Sequence, residues 1–146
     1  MNADAICFVD TNLLIYARDA SEKTKQPVAL AWMQWLLETM QGRLSAQVLN
    51  EFYVASTQKL KPGLTKEEAW SDVEDLLTWR PSAVSQLTIL GAREIQSDTN
   101  FSWWDSLILS SALELGCQYL LSEDLNQNQK YKGIEILNPF QIQLPS

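Results

Sequence analysis

A chain of 146 residues, 46% apolar and 20% charged, has the size of one compact domain and is long enough to bury roughly 68–70% of its unfolded surface without disulfides or a structural metal. Its 18 acidic and 11 basic residues give a net charge of −7, the reverse of the basic footprint typical of nucleic-acid binders, so any polyanion has to be met by local cations. The sequence contains no histidine, which removes His-based triads, histidine ribonuclease chemistry and His-ligated zinc together.

The chain opens with a short apolar run, Ile6-Cys7-Phe8-Val9, that gives way to Asp10-Thr11-Asn12 and then to Leu13, Leu14 and Ala17 at helical spacing. This reads as strand, polar turn and helix. Pro27 suits the first turn of a helix over 28–40 that is apolar around most of its circumference. Gly42-Arg43-Leu44 reads as a short strand, and Ser45 as the N-cap of a helix over 46–60 that carries Glu51 and ends at Lys61-Pro62-Gly63. Thr65-Lys66-Glu67-Glu68 is a capping-box start for a solvated amphipathic helix. Pro81 interrupts it, a brief extended segment is expected near Ala83-Val84, and 87–95 reads as helical. Ser102 caps a further helix that stops at Gly116. A strand over 119–122, the acidic turn Glu123-Asp124 and a last strand over 134–137 complete the chain. Strands separated by helices imply parallel pairing, hence a single α/β domain over 1–146, a three-layer α/β/α sandwich with a central parallel sheet.

Two cysteines, Cys7 and Cys117, are too few for a disulfide framework and lack the paired spacing of a zinc site, which suits a reduced intracellular setting. There is no signal-peptide pattern and no apolar run near the ~20 residues of a membrane span, so a cytoplasmic protein is expected. The five glycines are too widely spaced for a dinucleotide fingerprint or a P-loop. Carboxylates, hydroxyls and amides are what remain for chemistry.

Ligands of an open parallel sheet bind beyond the carboxyl ends of its strands, where Asp10 and Asp124 both fall. Each has an ordinary reading as well, Asp10 as a helix cap and Asp124 as a turn residue. Asp105 shares its helix face with Ile108, Leu109 and Ala112, so its carboxylate points toward the apolar stripe; a capping box with Ser102 explains its place along the helix but not its face. Glu51 lies at the margin of its own stripe, equally natural as an exposed glutamate. Should the four acids converge, their mutual repulsion calls for a divalent cation, and oxygen-only ligation selects Mg2+ or Mn2+.

Four blocks then carry a resemblance: 8–17 (FVDTNLLIYA), 45–52 (SAQVLNEF), Trp104-Asp105-Ser106-Leu107-Ile108 and Leu121-Ser122-Glu123-Asp124-Leu125, followed by Ile136-Leu137-Asn138-Pro139-Phe140. In this order they resemble the PIN (PilT N-terminal) domain, particularly the VapC-type toxin ribonucleases, over nearly the whole chain. The resemblance implies a metal-dependent endoribonuclease, the toxin of a type II toxin-antitoxin pair. Asp10 and Asp105 match the principal metal ligands, Glu51 and Asp124 the acids that complete the catalytic pocket, and Asn12, Ser122 and Thr11 the polar groups supporting the first acid and the substrate. A homodimer and a cognate antitoxin partner are also implied. Two departures are visible: the segment from Leu125 to Lys130 stands where a glycine often follows the last acid turn, and Ser106 stands where alanine is more usual.

The mechanism expected is hydrolysis by a water attacking phosphorus in line with the leaving 3′ oxygen, giving a 5′-phosphate, with Glu51 or Asp124 orienting the water. Arg18, Lys23, Lys25, Lys130 and Lys132 are candidate RNA contacts and equally natural solvated charges. Trp104 is expected in the core, while Trp103 is open between core and base stacking. The apolar helix over 28–40 has more apolar surface than one sheet face covers, so a protein partner is weighed against packing on its other side. The main alternative is a non-catalytic PIN-like binding module whose acids serve as caps. A receiver or haloacid-dehalogenase-type domain is disfavoured because Asn12 stands where an Asp-x-Asp motif needs its second acid. A flap nuclease acting on DNA is disfavoured because the chain lacks room for a threading arch.

Overall fold

The structure is a computed structural model that describes residues 1–126 and 128–145. Gln127, inside the segment that replaces the expected glycine, lies outside the described residues. A five-stranded sheet runs in the order β2-β1-β3-β5-β4, where β1 is Cys7–Val9, β2 Gly42–Arg43, β3 Tyr119–Leu121, β4 Lys130–Tyr131 and β5 Ile134–Leu137. β1 pairs in parallel with β2 on one side and β3 on the other, and β3 pairs in parallel with β5. Successive side chains of a strand point to opposite faces. Cys7, Phe8 and Val9 are nonetheless all buried, so both faces of the sheet are covered and the three-layer α/β/α architecture expected from the sequence is present.

The sheet departs from that expectation at one edge, where β4 is antiparallel to β5. The two strands are joined by Lys132 and Gly133, both at positive φ (47° and 90°), the backbone of a two-residue hairpin turn. The extended segment expected at Ala83-Val84 is instead a single parallel bridge between Ser82 and Ser45.

The helices are α1 (Thr11–Arg18), α2 (Lys25–Thr39), α3 (Ala46–Gln58), α4 (Lys66–Leu77), α5 (Gln86–Asp98) and α6 (Trp103–Glu114). Their starts follow the polar caps: Ser45 accepts from the Val48 N–H, and Thr65 and Glu68 exchange bonds in a full capping box. Pro27 sits in the first turn of α2 as expected, although that helix begins two residues earlier, at Lys25. Gly116, at φ 70°, takes the left-handed conformation that terminates α6. α1 packs on α2 and α3, α3 on α4, and α5 on α6.

This topology fixes where ligands meet the sheet. After β1 the chain turns to one side to make β2 and later returns to the other side as β3, so the strand order reverses between β1 and β3. In open α/β sheets that reversal opens a crevice at the carboxyl ends of the two strands. Val9 lies opposite Leu121, so the next residues along, Asp10 and Ser122, emerge level with each other at the crevice. The Asp10 N–H continues the ladder to the Leu121 carbonyl at 3.1 Å.

Among the described residues no helix is long and apolar enough to cross a membrane. Cys7 and Cys117 are free and buried, and burial pushes both thiols up to about 12, which leaves neither as a nucleophile at neutral pH.

Candidate active site

Asp10 is 7% exposed and caps α1, accepting from the Thr11 N–H at 2.7 Å through Oδ1. A capping acid ordinarily reaches the second or third helical amide. Here Oδ2 is held instead by Ser122 Oγ, which donates at 2.8 Å. Burial is the largest influence on this carboxyl and raises it from 3.8 to about 6; the Ser122 and Thr11 bonds oppose the rise, and the negative charges of Asp105 and Glu51 add to it.

Ser122 ties the two acid turns together. While donating to Asp10, its Oγ accepts from Asn12 Nδ2 at 3.3 Å and from the Asp124 N–H at 3.2 Å, which uses its one donor and both acceptor positions. Asn12 Nδ2 also donates to Asp124 Oδ2 at 3.2 Å, and Asn12 Oδ1 accepts from the Glu123 N–H at 3.4 Å. Asp124 itself is exposed. Asn12 and Ser122 therefore connect a buried carboxylate to an exposed one across the β1/β3 crevice.

Glu51 approaches from α3. Its Oε2 accepts from Thr11 Oγ1 at 2.7 Å and its Oε1 from Gln47 Nε2, one turn back on the same helix, at 2.9 Å. Thr11 thus links Glu51 to the start of α1, beside Asp10. Asp105 occupies the first turn of α6, where Ser102 Oγ accepts from its N–H at 3.1 Å. Half-buried, its carboxyl is raised chiefly by burial, with the Ser102 hydroxyl opposing and the charges of Asp124 and Glu51 adding. All four predicted acids are consequently in electrostatic contact around one crevice.

The donor set is oxygen throughout, which suits a hard cation such as Mg2+ or Mn2+. As the side chains lie, however, no group of three or more acidic or cysteine side chains among the described residues is close enough to hold a metal ion. Asp10 and Glu51 are separately anchored by Ser122 and Thr11, so gathering three carboxylates on one ion requires rotamer changes at the crevice.

Two expectations about the surroundings need correction. Trp104 is not in the core: it is 63% exposed and lines a groove between α3 and α6. Its helix buries serines as well as apolar residues, every position from Ser106 to Ala112 being buried, so periodicity could not say which face looks outward. Trp103 is half-buried. Three of the five candidate RNA contacts are engaged within the chain, Arg18 with Asp72, Lys25 with Glu123 and Lys132 with Glu94. Lys23 and Lys130 are exposed.

One participant, Gln47, was not singled out in the sequence, and another, Lys25, was named there only as an RNA contact or a solvated charge. Gln47 holds Glu51 from the preceding turn, and the four-residue Gln-Glu spacing was its available signal. Lys25 pairs with Glu123 beneath the acid turn and lies over the rings of Tyr16 and Phe140, 4.7 and 5.4 Å from their centroids. That contact joins α2 to a turn 98 residues away, which no local pattern reports.

No protein-family model matches the sequence, and no curated protein matches it. Solved structures do match by shape. A chain of the FitAB complex bound to an IR36 DNA fragment is similar over 94% of this chain and 98% of its own, with a TM-score of 0.70 and 16% identity. A chain of the Rickettsia felis VapBC2 complex, bound to a DNA fragment from its promoter, covers 90% and 96% at a TM-score of 0.59 and 15% identity. Mycobacterium tuberculosis VapC20, a toxin that cleaves the sarcin-ricin loop, covers 81% and 91% at a TM-score of 0.59 and 17% identity. At these identities the likeness shows a shared fold, the PIN-like α/β/α fold that the sequence motifs imply.

Proposed function

We propose that this PIN-fold chain, acting as one domain over 1–146, is a divalent-metal-dependent endoribonuclease and the toxin of a toxin-antitoxin pair. The observation that carries this reading is the Asp10-Ser122-Asn12-Asp124 network at the β1/β3 crevice, with Glu51 and Asp105 in electrostatic reach of it. Four acids around a partly dry crevice suit phosphodiester hydrolysis in a chain that has no histidine. The toxin role is supported by the shared fold and by the origin of two of the neighbours in FitAB and VapBC2 complexes, so a cognate antitoxin is the proposed protein partner. The proposed setting is the cytoplasm.

Asp10, Asp105, Glu51 and Asp124 are the residues that would hold Mg2+ or Mn2+, which when bound supplies acidification of water and neutralisation of phosphate charge. The protein's own share is positioning. Ser122 and the Thr11 amide fix both oxygens of Asp10, so the buried acid presents a defined edge to the crevice. Thr11 and Gln47 orient Glu51, leaving it a candidate to orient the attacking water and receive its proton. Asn12 restrains Asp124 on the exposed side, where substrate enters. Water adds to phosphorus as the bond to the 3′ oxygen breaks, and the products carry a 5′-phosphate and a 3′-hydroxyl.

Cleavage of a panel of structured RNAs in Mg2+, in Mn2+ and in EDTA, with Asp105→Asn as the control of matched circular dichroism, tests this reading. Metal-dependent cutting that Asp105→Asn abolishes, with 5′-phosphate ends, is the expected result; 5′-hydroxyl ends would contradict the mechanism. A second reading, a non-catalytic binding module, is favoured by the separation of the carboxylates as they stand. It predicts no cutting and no heat of Mg2+ binding by calorimetry.

A further inference from the structure

We propose that the groove between α3 and α6 is a nucleobase subsite, in which an unpaired RNA base stacks on Trp104 and donates an N–H to Gln47 Oε1. The inference rests on the ribonuclease reading of the adjoining acids and specifies how their substrate is held.

The groove encloses about 950 Å3 and starts at the acidic site, since Thr11 and Glu51 are among its walls. Val54, Val84 and Leu107 make its middle apolar, and the exposed Lys59 stands at its far end. Lys59, the residue that caps the end of α3, lies eight residues beyond Glu51, roughly 12 Å at the helical rise, so the groove runs from the proposed reaction centre to a cation able to meet a phosphate. Trp104 immediately precedes Asp105 and offers its indole to this groove at 63% exposure. Burial of a ring this large is strongly favourable, so an indole left in water beside a reaction site is a surface that a flat ligand completes.

Gln47 supplies the second, independent observation. It is 8% exposed, and its Nε2 faces two acceptors, Glu51 Oε1 at 2.9 Å and the Trp104 carbonyl at 3.4 Å. Those acceptors determine which end of the amide is the nitrogen. The other end, Oε1, is buried and has no hydrogen-bond partner among the described residues. Buried side-chain acceptors in folded proteins are nearly always paired, and an N–H entering from the groove that Gln47 lines is the donor that would pair this one.

A stacking face, an unused acceptor and a cation along an apolar groove are the elements by which single-stranded RNA is gripped. A helix from a protein partner fits them less well, because its backbone N–H groups are already spent on its own carbonyls. The base edge carries such donors outward.

The test is equilibrium binding of a fluorescently labelled adenosine hexaribonucleotide in EDTA and low salt, where metal-dependent cutting does not interfere. Two further probes have the same backbone, one with purine riboside in place of adenosine, lacking the amino group, and one abasic. Wild type is expected to prefer the adenosine probe to the purine probe by about fivefold and to bind the abasic probe weakest. Trp104→Ala should weaken the adenosine probe about tenfold and Trp104→Phe by less than threefold. Gln47→Met should bring the adenosine probe down to the purine level. Thermal unfolding checks that each variant is folded, and Trp104→Phe keeps the test valid should Gln47→Met prove unstable. Absence of hexamer binding by folded wild type, or binding indifferent to Trp104→Ala, overturns the subsite and leaves the groove to a protein partner. The nuclease reading fails separately: hexamer binding through Trp104 by a chain that cuts no RNA with metal supports the subsite alone.

Discussion

Ser122 Oγ donates to Asp10 Oδ2 at 2.8 Å across the boundary between β1 and β3, joining residues 112 apart in sequence. The pairing follows from register. Val9 opposes Leu121, so each residue is the first beyond its strand, and a short polar side chain on one reaches a short acid on the other. The same hydroxyl accepts from Asn12 and from the Asp124 amide. Movement of either acid turn is therefore felt by Asp10.

Asp10 opposes folding in the metal-free protein at neutral pH. Its folded-state value of about 6 lies above the ordinary 3.8, so the folded state binds the extra proton between those values and stability falls as pH rises from about 4 to about 6. The penalty is absent below that window and complete above it. Asp10→Asn removes the charge but keeps only one acceptor oxygen, so one of the two donors, the Thr11 N–H on Oδ1 or Ser122 Oγ on Oδ2, loses its partner at every pH. Urea unfolding in EDTA should show the variant gaining on wild type by up to about 3 kcal/mol between pH 4 and pH 7. A difference from wild type that is the same at the two pH values would contradict the assignment.

Ser122→Ala should do the opposite. The change removes the donor to Asp10 and the acceptor for two N–H groups, and a buried polar group left unpaired costs about 1–3 kcal/mol. Because the ionised carboxylate depends more on the donor than the neutral acid does, the loss should be larger at pH 8 than at pH 5. Denaturation curves at the two pH values decide this, and equal losses would mean that the hydroxyl matters only to Asn12 and the Asp124 amide.

The sequence disclosed what local chemistry controls. Ser45, Thr65 and Ser102 cap helices in the structure because a cap is a contact between near neighbours. The three-layer sandwich followed from strands alternating with helices. β4 was not legible: two residues, Lys130 and Tyr131, carry no periodicity, and Lys132-Gly133 is a weaker hairpin signal than Asn-Gly. Trp104 was misplaced because every position from Ser106 to Ala112 is buried, serines included, so the pattern of residue types gives no direction from which to infer an exposed face. Glu51 was ambiguous on its own helix and acquires its place from Thr11, 40 residues earlier. The acids could be named from motifs, whereas their linkage depended on strand order.

Metal should relieve the crevice. Asp10 and Asp105 are each raised partly by neighbouring carboxylates, and a ligand that binds only the folded state stabilises it by about 2.7 kcal/mol at a hundredfold excess over Kd. Thermal unfolding of wild type should therefore move upward with Mg2+ or Mn2+ and return with EDTA. Asp105→Asn should blunt the response, whereas Asp72→Asn, at the Arg18 ion pair away from the crevice, should preserve it. A midpoint indifferent to both metals would favour the non-catalytic module.

The outer face of α2 is the place to test self-association. Ala29, Trp32 and Leu36 bury one side of this helix, while Leu30, Leu37 and Met40 are 50%, 60% and 79% exposed on another. Leu30 and Leu37 are seven residues apart and share a helix face, and Met40 follows just beyond the C-terminal turn. Fold-level packing has thus covered only part of an apolar helix, and the homodimer implied by the sequence resemblance gives the rest an occupant. The double change Leu37→Lys with Met40→Lys places two charges on that face without disturbing a buried contact. Monomer stability should change by less than about 0.5 kcal/mol, while light scattering after size exclusion should show the mass fall from dimer to monomer. A dimer that survives both charges would place its interface elsewhere, and a wild type already monomeric at high concentration would leave this face without a second copy.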